Sequence, residues 1–223
     1  MRLADILADW FFPPKCILCR KVLTKEQTDL CPACRADVAA FPEKTKTIPH
    51  VKSWFALWHY DSIVRKSIIR FKFQKATVYA ESYGRLLAMY LLTHDKDFDL
   101  ITWVPVSAMR KRERGYDQTE LIAKHVGLAL GIQPTQLLKK VRHNRPQSGI
   151  RGYAMRKANV LGAYQAANPE AIAGKRILLL DDIITTGATV SECARVLLTA
   201  GAKEVHCAAV AAASNHPNEQ VKS

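Results

Sequence analysis

ILLLDDIITTGAT, residues 177–189, is the stretch on which the fold turns. Its apolar run, residues 177–180, is too short for a helix of its own and is closed by two acids, so it reads as a buried strand. The segment TVSECARVLLTAGA, residues 189–202, follows with Val190, Cys193, Ala194, Leu197 and Leu198 at helical spacing and a terminating Gly201. Strand, tight turn and helix therefore succeed one another. In open parallel sheets ligands gather at the carboxyl ends of strands, where Asp181 and Asp182 fall. Carboxylates there accept hydrogen bonds from hydroxyls or hold a cation. The loop of Thr185, Thr186, Gly187, Ala188 and Thr189 offers backbone N–H groups at the positive end of a helix, with threonine hydroxyls beside them, which suits a phosphate. Acids for hydroxyls next to amides for phosphate describe a sugar phosphate. The plain alternative is a strand end with solvated acids before an ordinary capped helix.

Two other phosphate-binding folds lack their partners. The chain has no GxxxxGK stretch, needed to hold a triphosphate, and no GxGxxG after a first strand, needed for a dinucleotide.

Working outward, KEVHCAAVAAA (residues 203–213) and DLITWVPVS (residues 99–107) read as further strands. YDQTELIAKHVGLALG, residues 116–131, reads as a helix with Leu121, His125, Val126 and Ala129 on one face, closed by Gly131. An aromatic alternation from residue 53 passes into a helix with Leu86, Leu87, Tyr90 and Leu91 on one face. Strands alternating with helices predict an α/β fold with a mostly parallel sheet and helices on both faces.

The chain has 223 residues, 48% hydrophobic, which suffices for one α/β domain and a small appendage. Thirty-three Lys and Arg against twenty Asp and Glu leave a formal charge of +13, favouring phosphorylated ligands, nucleic acid or anionic lipid. Asp5 and Asp9 make the first residues a poor signal peptide, and no run reaches the ~18 apolar residues of a membrane span. A cytoplasmic protein is expected.

Four of six cysteines form the pattern Cys16-x2-Cys19-x11-Cys31-x2-Cys34, while Cys193 and Cys207 stand alone in apolar sequence. Two CxxC knuckles present four thiolates to one tetrahedral zinc, leaving no open position, so the expected role is structural. A thiol-redox site would need one CxxC in a βαβ setting. Lys15, Arg20, Lys21, Lys25 and Arg35 surround the knuckles, so the segment either touches nucleic acid or staples a piece of chain too short for its own core. FPEKTKTIPH, residues 41–50, reads as a linker after it.

The stretch ILLLDDIITTGAT resembles the phosphoribosyl pyrophosphate (PRPP) motif of type I phosphoribosyltransferases: an apolar strand, two acids, two apolar residues and a small-residue loop. With the four-cysteine motif, RFKFQ, VPVSAMRKRERGYDQTELIAKHV and RPQSGIRGYAMRKANVLGAY in that order, the chain is similar over nearly its whole length to the ComF and GntX-like members of that superfamily.

The resemblance implies a type I phosphoribosyltransferase fold, with a double-zinc-ribbon-like segment over residues 1–45, a phosphoribosyltransferase-like domain over 46–213 and a disordered tail over 214–223. It implies that Asp181 and Asp182 hold the ribose hydroxyls and that residues 185–189 hold the 5′-phosphate. It also implies that Pro105, Val106 and Ser107 form a pyrophosphate loop, and that the zinc segment stands where related enzymes carry the hood over the second substrate. Arg110, Lys111, Arg112 and Arg114 follow the strand end, where the plain reading is a solvated basic helix start. Beside a PRPP motif they become candidates for the pyrophosphate, with Arg110 and Arg142 as catalytic candidates.

Residues 139–160, rich in charge, suit a loop that closes over PRPP, with Lys140, Arg142, His143 and Arg145 at its start. Gln147, Arg156 and Asn159 fall on the family pattern. Mg2+ is implied alongside PRPP. Relatives active in purine salvage open the phosphate loop with an aspartate where this chain has Thr185, which orotate-type enzymes tolerate; the acceptor base is left open. Family membership further implies a part in natural transformation by DNA uptake, with single-stranded DNA and the uptake machinery as partners. A nucleobase-salvage enzyme and a zinc-dependent single-stranded DNA-binding factor without PRPP chemistry are the alternatives.

Overall fold

The computed structural model describes residues 13–42, 47–74, 76–93, 98–142 and 153–213. His143, Arg145, Gln147, the side chain of Arg156 and the tail over 214–223 lie outside the described residues. Along the chain run α1 (Pro32–Asp37), β1 (Ser53–His59), α2 (Ser62–Phe73), α3 (Tyr79–Leu92), β2 (Leu100–Trp103), α4 (Ala108–Arg114) and α5 (Gln118–Leu130). They are followed by β3 (Leu138–Lys140), α6 (Tyr153–Val160), β4 (Tyr164–Ala166), α7 (Pro169–Ile172), β5 (Arg176–Ile184), α8 (Ala188–Thr199) and β6 (Glu204–Ala212).

A strand flanked on both sides and covered on both faces must be apolar almost throughout. That is β5: residues 177–182 are buried, and it lies between β6 and β2 in a parallel sheet of order β1-β6-β5-β2. Successive residues of β5 serve opposite faces. Leu178 and Leu180 join a core with Ile68 and Phe71 of α2, Tyr83 and Leu87 of α3, and Ile122 and Val126 of α5. Ile177 and Leu179 join a second core with Cys193, Ala194 and Leu197 of α8, Leu138 of β3 and Tyr164 of β4. The expected α/β sandwich with helices on both faces is the observed one. None of the described helices is long and apolar enough to cross a membrane.

The cysteine segment is part of the first core. Ile17 and Leu18, 3% and 1% exposed, pack there with Phe55, Ile68 and Tyr83, so the segment has no separate core. The stretch read as a linker is also anchored: Phe41 and Ile48 are buried in the second core, and Phe41 N–H donates to the Leu57 carbonyl at 3.1 Å. Its prolines and lysines suggested exposure, but Phe41 and Ile48 are apolar anchors within it.

Two other expectations need correction. Within residues 139–160, Lys139 and Lys140 belong to β3, antiparallel to β4, and residues 153–160 form α6. The buried face of α5 is Gln118, Thr119, Ile122, Ala123, Val126 and Gly127, rather than the face through Leu121, His125 and Ala129. Periodicity assumed an apolar inner face, whereas the first turn of α5 turns polar groups inward for a reason given below. A Cβ on Gly84 would come within 2.4 Å of His125 Cβ, so glycine is what lets α3 lie close against α5.

Candidate functional site

β2 ends at Trp103, opposite Leu180, so β5 runs past it and carries Asp181 and Asp182 to the open rim of the sheet. Being adjacent on an extended strand, the two carboxylates face opposite sides. They do not act as one pair. Asp182 looks toward α2 and α5: its Oδ1 accepts from Lys72 Nζ at 2.8 Å and its Oδ2 from Gln118 Nε2 at 2.8 Å. This contact explains the inward polar turn of α5.

Asp181 faces the other way and lines a small concavity with Ile183, Ile184 and the loop from Thr185 to Val190. Its Oδ1 accepts the Asp182 N–H at 2.8 Å. Burial, and then the neighbouring charge of Asp182, hold its carboxyl well above the usual carboxylate range.

The loop is built for close approach. Gly187 sits at φ +80° as the N-cap of α8, and a Cβ there would also meet Ile48 at 3.1 Å. Having no side chain, the cap contributes no group that could compete with a ligand for the first-turn amides, although the Ala188 N–H reaches Thr186 Oγ1 at 3.4 Å.

Two cations stand near Asp181. Lys140 is brought down to about 8, first by burial and then by the positive charge of Arg110. Its Nζ lies 3.3 Å from Tyr164 Oη. Arg110 Nη2 is buried with no hydrogen-bond partner among the described residues. A buried guanidinium nitrogen without an acceptor among the described residues, beside a second cation, fits an anion.

Pro105, Val106 and Ser107 follow the end of β2. The Val106 N–H, however, already donates to Asp117 Oδ2 at 3.0 Å. Ser107 caps α4 by accepting the Arg110 N–H at 3.4 Å. Asp117 also caps α5 through Thr119 N–H and Glu120 N–H, and so ties the loop to that helix. Arg142 is not turned to the aspartates by its hydrogen bonds. Its Nη2 donates to the carbonyls of Asn159 at 3.4 Å and Leu161 at 2.7 Å, a cation at a helix C-terminus.

Sequence reasoning missed the roles of Lys72, Gln118 and Asp117. Only Asp117 had a local signal, since Asp-x-x-Glu over residues 117–120 has the form of a capping box. Lys72 and Gln118 meet Asp182 from helices far apart in the chain, which no spacing shows.

The sulfur atoms of Cys16, Cys19, Cys31 and Cys34 lie within 4.8 Å of one another, and those of Cys19 and Cys31 are 3.6 Å apart. The edge of a zinc tetrahedron with ~2.3 Å bonds is roughly 3.8 Å, so the set fits structural zinc. Each half has the local structure of a knuckle. Arg20 adopts φ +69° and donates its N–H to the Cys16 carbonyl at 2.9 Å, while Cys31 Sγ accepts the Cys34 N–H at 3.5 Å. Burial raises the Cys19 and Cys34 thiols; at Cys16 it is outweighed by backbone N–H groups of Cys19 and Cys31, which bring that thiol to about 7.

Residues 120–223 match the phosphoribosyl transferase domain family, and residues 7–45 match the double zinc ribbon domain. Competence protein F of Haemophilus influenzae is 28% identical over 221 residues, covering 87% of this chain and 95% of that protein. DNA utilization protein YhgH of Salmonella typhimurium is 26% identical over 201 residues, covering 85% and 86%. Competence protein ComFC of Streptococcus pneumoniae is 29% identical over 150 residues, covering 67% and 64%. With a zinc ribbon joined to a phosphoribosyltransferase sheet, and with these relatives, the chain is similar to the ComF-like phosphoribosyltransferase family.

Proposed function

We propose that this protein binds PRPP with Mg2+ at the rim of β5 and serves DNA uptake in natural transformation. The observation that carries the ligand reading is Asp181 lying in one concavity with the glycine-capped N-terminus of α8, which has no capping side chain of its own. The loop from Thr185 to Thr189 takes the 5′-phosphate on its amides and hydroxyls. Asp181 meets the ribose hydroxyls, its carboxyl oxygens accepting hydrogen bonds from the diol. Arg110 and Lys140 face the pyrophosphate, for which a buried unpartnered guanidinium nitrogen is suited. Asp182 holds Lys72 and Gln118 in place behind the site.

Mg2+ takes oxygen ligands and keeps several waters, and the rim offers carboxyl and threonine oxygens suited to it; bound there, it supplies positive charge to the pyrophosphate. If pentosyl transfer is retained, Arg110 and Lys140 stabilise the departing pyrophosphate as the C1′ bond breaks. The biological role rests on the relatives' names, competence protein and DNA utilization protein. Six cysteines without a disulfide, four of them clustered as a metal site would need, suit a reducing, cytoplasmic setting.

A thermal-shift and calorimetric titration with PRPP and ribose 5-phosphate, each with Mg2+, tests the ligand. Saturable stabilisation that is lost in Asp181→Ala supports it, and the absence of any shift with either ligand refutes it.

A second reading, contact with single-stranded DNA, has its own support. Phe73 is 66% exposed at the end of α2, and Arg114 Cζ lies 4.9 Å from its ring centroid. An exposed ring paired with arginine is a stacking platform for bases, worth about 1–3 kcal/mol per base. Phe73→Ala then weakens binding of an oligonucleotide while leaving the ribose 5-phosphate response intact. Equal affinity in the two proteins would reject that platform.

A further inference from the structure

Both donors that hold Asp182 trace back to the zinc ribbon. On α2, Arg70 Nη2 donates to the carbonyls of Ile17 at 3.0 Å and Leu18 at 2.6 Å, the two residues between the first pair of cysteines. Ser67, one turn earlier, donates to the same Ile17 carbonyl and meets Tyr83 Oη at 2.6 Å. Two residues beyond Arg70, on another side of the helix, Lys72 reaches Asp182. Between them Phe71 is fully buried, and its carbonyl accepts the Tyr116 hydroxyl. The last turn of α2 is thus fixed to a zinc knuckle on one side and to the rim of the sheet on another.

The second route runs through α3. Arg85 grips Asp29, which lies just ahead of the second knuckle, with Nε at 3.0 Å and Nη2 at 2.7 Å. α3 packs closely on α5 where Gly84 meets His125. α5 carries Gln118, whose amide holds the other oxygen of Asp182. Each oxygen of Asp182 is therefore held by a helix that is itself anchored, directly or at one remove, on the ribbon.

Such coupling needs an element with two discrete states. The ribbon offers them as a metal-bound and a metal-free state, since its four cysteine sulfurs converge on one point and a bound metal would order the segment around them. We infer that the zinc ribbon positions Lys72 and Gln118 on Asp182 through α2 and the α3–α5 pair, so that zinc occupancy governs the order and affinity of the sheet-rim site. This rests on the ligand reading for its affinity part only. The positioning part concerns contacts within the protein.

The test pairs two readouts on the full chain. Amide hydrogen exchange is measured at residues 71–74 and 181–184, with zinc bound, after chelation, and in Arg70→Ala with its zinc content assayed. Ribose 5-phosphate binding is measured by calorimetry on the same samples. Arg70→Ala keeps all four cysteines, so it is expected to retain one zinc per chain. It should nevertheless exchange faster at both segments and bind the sugar phosphate roughly tenfold more weakly, the size of one lost hydrogen bond to a charged group. Chelation should have a larger effect in the same direction.

Unchanged exchange at residues 181–184 after zinc removal would overturn the inference. So would full sugar-phosphate affinity in zinc-loaded Arg70→Ala. If the wild-type protein binds no sugar phosphate while its exchange responds to zinc, the ligand reading fails and the positioning stands.

Discussion

Lys72 and Asp182 are joined by a 2.8 Å contact in which both side chains are largely buried, 18% and 8% exposed. The residues are 110 positions apart, so the pair closes α2 onto β5. A buried pair is costly to break singly because the remaining charge has lost its partner.

Lys72→Ala is therefore expected to destabilise the fold by about 3–5 kcal/mol, read as a lower urea midpoint. The double change Lys72→Met with Asp182→Leu should recover part of that loss. A full-size loss in the double variant would show that the cost lies in packing and not in the stranded carboxylate.

Lys140 gives a prediction with a defined pH window. Its folded value of about 8 is below the ordinary 10.5, so the folded state binds fewer protons than the unfolded chain. Its stability contribution is present above about 10.5 and is lost as pH falls through about 8. Lys140→Met should therefore be more stable than the wild type below pH 8, by something of the order of 2 kcal/mol, with the gap closing toward pH 10. The same variant should bind PRPP about tenfold more weakly. Melting curves across pH and one calorimetric titration read both effects.

Asp181 has the opposite sign of proton balance. Its folded value is raised, so its contribution is present at acid pH, below the ordinary value of 3.8, and is lost as pH rises through the folded value. Asp181→Asn removes that dependence. The stability of the variant relative to the wild type should rise from pH 4 to pH 8, while the response to ribose 5-phosphate falls at every pH. A pH-independent stability difference would count against a raised Asp181 carboxyl.

Gly187→Ala tests the loop. At φ +80°, with Ile48 at 3.1 Å from the added Cβ, the substitution should cost about 1–3 kcal/mol and abolish the sugar-phosphate response. Adding Ile48→Val should restore some stability but not binding, because the left-handed backbone strain remains. Thermal melts with and without ligand separate the two.

Much of this protein was written in local chemistry. The apolar run before Asp181 reads as a buried strand, and the turn from Thr185 to Thr189 as the opening of a helix. Cys16, Cys19, Cys31 and Cys34 carried their tetrahedral use in their spacing. These features depend on neighbours in the chain, where periodicity, caps and ligand spacing act directly. Tertiary structure decided what depends on distance across the fold. It set Asp181 and Asp182 on opposite faces with different partners, drew Lys140 and Arg110 together against their mutual repulsion, and seated the zinc ribbon on the two helices behind Asp182. The contacts of Arg70 with Leu18 and of Lys72 with Asp182 join residues 52 and 110 positions apart, and arise only when burial has chosen which faces meet.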